Sequence, residues 1–164
     1  MDRENVSATL DVAAPAATVF AVLADPTAHP AIDGTGWVRA AVDRAPLREI
    51  GQVFRMDMYH PDHPNGTYQV ANQVHVLDPP RAIGWLTGQE KAGGRLEFGG
   101  WWWRYDLVPL GPHGTGGTGG TAVTLTYDWS AVPPSVREYL RFPPFGPDHL
   151  VSSLRHLDGI LRGR

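Results

Sequence analysis

The sequence predicts an α+β domain in which one antiparallel sheet of about seven strands is covered by a long C-terminal helix. Two observations support this class. Six segments of β-type composition follow one another through the middle of the chain, separated by Pro and Gly. The last segment instead repeats apolar side chains at helical spacing. A sheet with one apolar face needs a cover, and this helix is the only predicted element long enough to provide it.

The chain begins with a strand and a short helix. Val6–Val12 alternates apolar and polar residues, which indicates a strand with one buried face. A helix is predicted over Ala14–Leu23, because Pro15 suits a first helical position and Pro26 follows as a stop. A second, shorter helical turn is expected around Ala28 to Ile32.

The middle of the chain predicts six antiparallel strands. Each combines β-branched or aromatic residues and ends at a turn signal rich in Pro, Gly or Asp. The predicted ranges are Trp37–Arg44, Val53–Tyr59, Thr67–Leu77, Arg81–Thr87, Trp101–Leu110 and Thr121–Trp129.

The end of the chain is helical. A short helix is predicted over Ser135–Leu140, between two Pro-Pro pairs. The long helix begins after Gly146-Pro147-Asp148 and ends near Leu161, with Pro and an acidic residue in its first turn. Its apolar face carries Leu150, Leu154, Leu157 and Leu161.

Composition limits the functional classes. The chain of 164 residues fits one domain spanning residues 1–164. A formal net charge of −3 gives no basic surplus for a nucleic acid, and no apolar run is long enough to span a membrane. The absence of Cys excludes disulfides, thiolate metal ligands and a Cys nucleophile. The first residues lack the apolar core of a signal peptide, so a cytoplasmic location is expected.

Three segments carry a family resemblance. They are residues 12–26 (VAAPAATVFAVLADP), residues 72–85 (NQVHVLDPPRAIGW) and residues 120–129 (GTAVTLTYDW). Together with the terminal helix, they resemble the START-like polyketide cyclase/dehydrase superfamily (SRPBCC) over nearly the whole chain.

This resemblance implies the helix-grip fold, in which a curved antiparallel sheet wraps around the C-terminal helix and a hydrophobic ligand is held between them. Members of the superfamily include polyketide aromatase/cyclases, lipid and sterol carriers, plant hormone receptors and pathogenesis-related proteins. They share the scaffold and not one set of catalytic residues. The resemblance therefore implies a fold and a ligand class, and no particular reaction.

Strand parity assigns one set of side chains to the concave face of the sheet. Most of them are large and apolar, so they form either plain core or the walls of a small-molecule pocket. Trp102 and the acidic residues Asp57, Asp106 and Asp128 have the opposite parity, so no clear acid–base pair is expected inside. The candidate ligand-binding residues are Phe54, Met56, Met58, Asn72, Trp85, Trp103, Tyr105, Tyr127 and Leu154.

Polar groups within this apolar set are candidates for chemistry. Asn72 lies among valines, where its amide needs either a structural hydrogen bond to a neighbouring strand or loop, or a ligand carbonyl or hydroxyl. Tyr105 and Tyr127 can each donate a proton to a ligand carbonyl. Together with His60, which titrates near neutral pH, they are the candidate catalytic residues.

Two other motifs suggest ligands. His60 and His63, with Asp62 between them, suggest a metal, but no third ligand is evident by spacing, so a polar turn or a place at the pocket mouth are the alternatives. Gly114–Gly119 matches the dinucleotide fingerprint G-x-G-x-x-G, yet a strand follows it where the motif needs a helix. Neither a metal nor a cofactor is therefore predicted.

The remaining histidines show no pattern in the sequence. His29, His75 and His113 belong to no recognisable constellation. His149 and His156 lie seven residues apart on the terminal helix, where they can edge the cavity, although exposure to solvent is expected.

Two functional hypotheses follow. The first is a cyclase/dehydrase-like enzyme of secondary metabolism, which holds a poly-β-ketone in a folded shape while Tyr or His groups move protons. The second is a carrier or sensor that binds a hydrophobic small molecule without chemistry. A third class, a chaperone cofactor acting through its surface, would need a charged exposed groove that the sequence does not indicate. Either a monomer or a homodimer is compatible with the sequence.

Overall fold

The computed structural model describes residues 3–111 and 120–163. These residues form one antiparallel sheet with the strand order β1-β7-β6-β5-β4-β3-β2, so that the first and last strands are neighbours. The seven strands are β1 (Asn5–Val12), β2 (Val38–Ala41), β3 (Val53–Tyr59), β4 (Thr67–Asp78), β5 (Ala82–Glu90), β6 (Leu96–Leu110) and β7 (Gly120–Asp128). The helices are α1 (Ala16–Leu23), α2 (His29–Ile32), α3 (Pro134–Arg137) and α4 (His149–Arg162).

The predicted fold class is confirmed. The sheet curls into a half-barrel around the C-terminal helix α4, and two short helices follow the first strand, as in a helix-grip fold. Helix α4 buries the four leucines of its predicted apolar face, Leu150, Leu154, Leu157 and Leu161. It packs against β1, β7 and α2, while α1 packs against β5, β6 and β7. The cover of the sheet is therefore shared among helices and is not provided by α4 alone.

The largest difference from the predicted elements lies in the hairpin of β5 and β6. The glycines between residues 88 and 100 suggest a loop in the sequence, yet β5 continues to Glu90 and β6 begins at Leu96. Gly100 has a φ of 101°, and a Cβ there would lie 2.5 Å from the Ala131 carbonyl oxygen. Glycine at this position therefore lets a long strand bend and approach a neighbouring segment without ending.

Strand β2 is shorter than predicted because the chain leaves the ladder early. The backbone N–H groups of Val42 and Asp43 both donate to the Arg55 carbonyl oxygen, at 3.0 and 3.4 Å. The Asp43 carboxylate then accepts hydrogen bonds from the Arg55 backbone and guanidinium at 2.8–2.9 Å. Since Asp43 turns to bind this neighbour, regular pairing ends at Ala41.

No helix among residues 3–111 and 120–163 combines the length and the apolar character needed to cross a membrane.

Candidate functional site

Eight of the nine predicted ligand-binding residues share the inner face of the sheet, and the ninth, Leu154, lies on α4. Cross-strand pairing places Phe54 opposite Asn72, and Trp85 opposite Trp103. Trp103 in turn lies opposite Tyr127. Of the nine candidates, Met58 and Trp103 are partly buried and the others are buried. The parity argument therefore brings these residues to one face, and nothing in their burial alone separates a pocket wall from plain core.

Five rings form one contiguous group at the α4 end of this face. We call it the aromatic cluster, and its members are Trp103, Tyr127, Trp129, Phe145 and His149. The Trp103 and Tyr127 ring centroids are 4.6 Å apart, and Phe145 lies 5.0 Å from Tyr127. His149 lies 4.5 Å from Phe145 and 5.7 Å from Trp103. Three members come from outside the strands, since Trp129 follows β7, Phe145 precedes α4 and His149 begins α4.

A second aromatic group surrounds Trp85. The His29 ring stacks on Trp85 with 4.9 Å between centroids and 20° between planes, and Phe54 meets both rings edge-on. His29 Nε2 donates to the Leu23 carbonyl oxygen at 2.8 Å, which fixes the ring at the start of α2. Burial lowers the pKa of His29, so its imidazole is neutral near pH 7. No pattern in the sequence indicates a role for His29, because stacking between an α2 residue and a β5 residue has no local signal.

Three polar groups on the inner face retain hydrogen-bonding capacity. The Thr87 hydroxyl donates to Asn72 Oδ1 at 2.8 Å, which is the structural hydrogen bond to a neighbouring strand that the sequence analysis offered as one alternative. Residues 3–111 and 120–163 offer the amide nitrogen of Asn72 no acceptor, and offer no partner to the hydroxyls of Tyr105 and Tyr127. Burial raises the pKa of both tyrosines, and the nearby Asp33 carboxylate adds to the increase for Tyr105. Both hydroxyls are therefore protonated donors at physiological pH.

A carboxylate–imidazole pair lies where α2 meets α4. His149 Nε2 is 3.9 Å from Asp33 Oδ1, and the two side chains are only 7% and 10% exposed. The Asp33 carboxylate also accepts from the Thr35 hydroxyl at 2.8–2.9 Å and from the Val38 backbone at 3.0 Å. These donors hold the carboxylate in place. Burial lowers the pKa of His149, which Asp33 opposes and His156 reinforces.

This pair corrects two expectations. His149 is buried and not exposed, and the interior does contain an acid–base pair. Close packing of the α2–β2 turn on α4 explains the burial: the Gly34 N–H donates to Ser153 Oγ at 3.0 Å, and a Cβ on Gly34 would lie 2.8 Å from the His149 carbonyl oxygen. His156 Nδ1 donates to the Ile32 carbonyl oxygen at 3.2 Å. In the sequence, only the spacing of His149, Ser153 and His156 on one helix face indicated that α4 makes these contacts.

The loop between β3 and β4 is an ordered polar turn. His60 Nδ1 accepts from the Asp62 backbone N–H at 3.0 Å, and His63 Nδ1 accepts from the Asn65 backbone N–H at 3.4 Å. Both Nδ1 atoms therefore serve as acceptors that hold the turn together. His60 packs on Trp37 with ring centroids 4.4 Å apart, outside the aromatic cluster. Within the described ranges, no three His, Asp or Glu side chains are grouped to hold a metal ion.

Two further features singled out in the sequence are the glycine motif and Trp102. Gly114–Gly119 lies outside the described residues, but the strand β7 begins at Gly120, so the motif precedes a strand. Trp102 is partly buried on the outer face, with its ring 5.8 Å from that of His75. His75 therefore also has an aromatic neighbour that the sequence did not indicate, and its pKa is lowered by burial and by Arg104.

Two surface depressions, of about 630 and 520 Å³, adjoin the loop between β2 and β3. Pro46 and Arg48 line both, and the predicted ligand-binding residues line neither. On the inner face, the rings instead contact one another directly. A ligand ring that enters between these rings must displace one of them.

Comparisons with known proteins give the fold and a distant relative. No family model matches the chain. It is 31% identical over 127 residues to the uncharacterized protein Rv0088 of Mycobacterium tuberculosis H37Rv, and 30% identical over the same length to the uncharacterized protein MT0096 of strain CDC 1551. These matches cover 77% of this chain and 48% of each relative, so the chain spans about half the length of the curated relatives it matches.

Solved structures share the whole fold. Protein NE0264 of Nitrosomonas europaea superposes with a TM-score of 0.67 at 17% identity, covering 99% of this chain and 97% of that one. Protein Ms6760 of Mycobacterium smegmatis superposes with a TM-score of 0.64 at 16% identity, covering 98% and 92%. At these identities the likeness shows the curled antiparallel sheet with its C-terminal helix, which is compatible with a helix-grip fold, and nothing about chemistry.

Proposed function

We propose that this protein binds a hydrophobic, ring-containing small molecule between the inner face of the sheet and α4, as a member of the START-like superfamily that its motifs resemble. The observation that supports the proposal most directly is the set of unpartnered polar groups among the inner rings: the Asn72 amide nitrogen and the Tyr105 and Tyr127 hydroxyls. Apolar walls with a few convergent polar groups are what small-molecule sites need. Each of these atoms retains some contact with solvent, and a ligand oxygen would replace the water that hydrogen-bonds to it there.

The pKa shifts favour binding over catalysis at these residues. An efficient general acid or base has a pKa near the working pH. Burial moves the pKa of Tyr105 and Tyr127 upward and that of His29 and His149 downward, away from neutrality in both cases. The tyrosines are therefore persistent hydrogen-bond donors, and the imidazoles are neutral. Such a site suits a carrier or sensor that recognises carbonyl or hydroxyl oxygens on an apolar ligand.

Tryptophan fluorescence tests the proposal, with flavone and anthraquinone as probes. We expect saturable quenching with micromolar affinity, about −8 kcal/mol. Trp85→Ala should weaken binding up to roughly tenfold, since an aromatic contact contributes about 0.5–1.5 kcal/mol. Trp102→Ala is the matched control, because Trp102 lies on the outer face of the neighbouring strand.

The two variants separate the possible results. Equal losses in Trp85→Ala and Trp102→Ala would place the probe away from the inner face. No saturable quenching with any probe would mean that the inner rings are plain core, and the proposal would be abandoned.

A cyclase/dehydrase-like enzyme is the second candidate, and the Asp33–His149 pair favours it. The carboxylate lies 3.9 Å from Nε2 of a buried imidazole that contacts the aromatic cluster. Such a pair can accept a proton from an activated carbon of a poly-β-ketone. Incubation of the protein with a synthetic β-triketone distinguishes the candidates: an enzyme forms cyclised, dehydrated product in catalytic amounts, whereas a carrier returns the compound unchanged.

A further inference from the structure

The segment of residues 141–148, which we call the strap, connects the end of the α3 region to α4. Three of its eight residues are Pro and lack an N–H group. The Gly146 carbonyl oxygen accepts a hydrogen bond from the His149 N–H, and the Asp148 carbonyl oxygen accepts one from the Ser152 N–H, both at the start of α4. Its own N–H groups donate to none of residues 3–111 or 120–163. The strap is therefore not held to the sheet by main-chain hydrogen bonds.

Two phenylalanine rings attach the strap to the sheet. Phe142 contacts Trp101, with ring centroids 5.8 Å apart. Phe145 enters the aromatic cluster, where it lies 5.0 Å from Tyr127, 5.7 Å from Trp103 and 4.5 Å from His149. The Phe145 ring therefore fills a slot whose walls are the rings of Trp103, Tyr127 and His149.

The walls of this slot are fixed more firmly than its occupant. Trp103 and Tyr127 lie opposite each other on β6 and β7, and each of these strands is paired on both sides. His149 is the first residue of α4 and faces the buried carboxylate of Asp33. Phe145, in contrast, lies between Pro144 and Gly146 in a segment without main-chain bonds to the sheet. Movement of the strap would vacate the slot and leave its walls in place.

We propose that the slot now filled by the Phe145 ring is the ring-binding subsite of this protein, that it takes an uncharged phenyl-sized ring of the ligand, and that Phe145 leaves as the ligand ring enters. This inference rests on the proposed binding function and adds the position, the size and the charge of the group recognised. A ligand ring in the slot would make the same contacts with Trp103, Tyr127 and His149 that Phe145 now makes. An anionic ring is excluded because the aromatic walls and the nearby Asp33 carboxylate give a negative charge no compensation for its lost hydration.

The test compares two phenylalanines of the same strap. Flavone is the probe, because it is uncharged and carries a pendant phenyl ring. Phe145→Ala empties the slot, so flavone no longer competes with a protein ring, and we expect its Kd to fall about tenfold. Phe142→Ala removes a ring of the same strap that contacts Trp101 and not the slot, and its Kd should stay within about twofold of the wild type.

The outcomes separate this inference from the proposed function. Flavone binding that is equal or weaker in Phe145→Ala than in the wild type overturns the subsite and leaves the binding function standing. If flavone binds to neither the wild type nor either variant, both the subsite and the proposed binding function are overturned. Binding seen only in Phe145→Ala supports both, because it shows a subsite closed by its own side chain.

A second measurement does not depend on the stability of the alanine variant. 4-Fluorophenylalanine at position 145 gives a ¹⁹F resonance shifted by the ring currents of Trp103 and Tyr127. Saturating flavone should move this resonance to the position of a solvated phenyl ring. A resonance unchanged at saturation overturns the exchange of rings, even where the fluorescence titration shows binding.

Discussion

Asn72 shows how one polar side chain can serve the fold and a ligand at once. Its oxygen accepts from Thr87 across the β4–β5 ladder, while its nitrogen has no acceptor within the described ranges. Both side chains are buried, with Asn72 6% exposed. The structural alternative from the sequence therefore applies to one end of the amide, and the ligand alternative concerns the other end.

Asn72→Leu should destabilise the protein by about 1–3 kcal/mol, because it leaves the Thr87 hydroxyl buried without an acceptor. The double variant Asn72→Leu/Thr87→Val should recover most of that loss, since both polar partners are then removed. Urea unfolding of the three proteins measures the effect. A single variant as stable as the wild type would contradict the importance of the Thr87 bond, and weaker flavone binding in the double variant would assign the amide nitrogen to the ligand.

The sequence could predict which face of the sheet a residue occupies, because successive side chains along a strand point to opposite faces. It placed Phe54, Trp85 and Tyr127 correctly on one face. It could not predict that Asp33 meets His149, because that contact depends on how α2 and α4 pack across more than a hundred residues of chain. Chemistry that arises between distant elements leaves no local pattern.

Among the elements, α4 was the best defined by the sequence. Its leucines repeat at the spacing of one helix face, and the structure buries all four. The β5–β6 hairpin was the least well defined, because glycine has the same sequence signature in a turn and in a bent strand. Gly100 has a positive φ and an adjacent carbonyl, and only the fold supplies that neighbour.

The contribution of α4 can be measured with two residues on adjacent faces. Leu154 is 0% exposed, whereas Val151 on the same helix is 36% exposed. Leu154→Ala should lower the free energy of unfolding by about 2–5 kcal/mol through lost burial and the cavity left behind. Val151→Ala should change it by about 0.5 kcal/mol or less. Equal losses in urea unfolding would show that α4 packs as an appendage and not as part of the core.

For the whole molecule, two buried histidines, His29 and His149, and the partly buried His75 make stability depend on pH. Burial lowers the pKa of His29, His75 and His149, so all three resist protonation in the folded state. The unfolded chain takes up these protons near the ordinary histidine pKa of about 6.5. Stability is therefore complete above that pH and is lost as the pH falls below it towards the folded-state values.

Urea midpoints at pH 7.5 and pH 5.5 check this expectation, and the wild type should be less stable at the lower pH. His29→Gln is the informative variant, because glutamine can still donate to the Leu23 carbonyl oxygen but cannot take up a proton. It should lose less stability than the wild type between the two pH values. An identical loss in both proteins would assign the pH dependence to other groups.

The pairing of β1 with β7 has a consequence for biosynthesis. Asn5 lies opposite Asp128, so the first strand emerges from the ribosome long before β7, its neighbour in the sheet. At about 5–20 residues per second, that delay is roughly 6–25 seconds. During this time β1 exposes an unsatisfied edge and an apolar face, which chaperones recognise and which other nascent chains can capture. Productive closure of the sheet must therefore wait until β7 is released, whatever order the intervening hairpins form in.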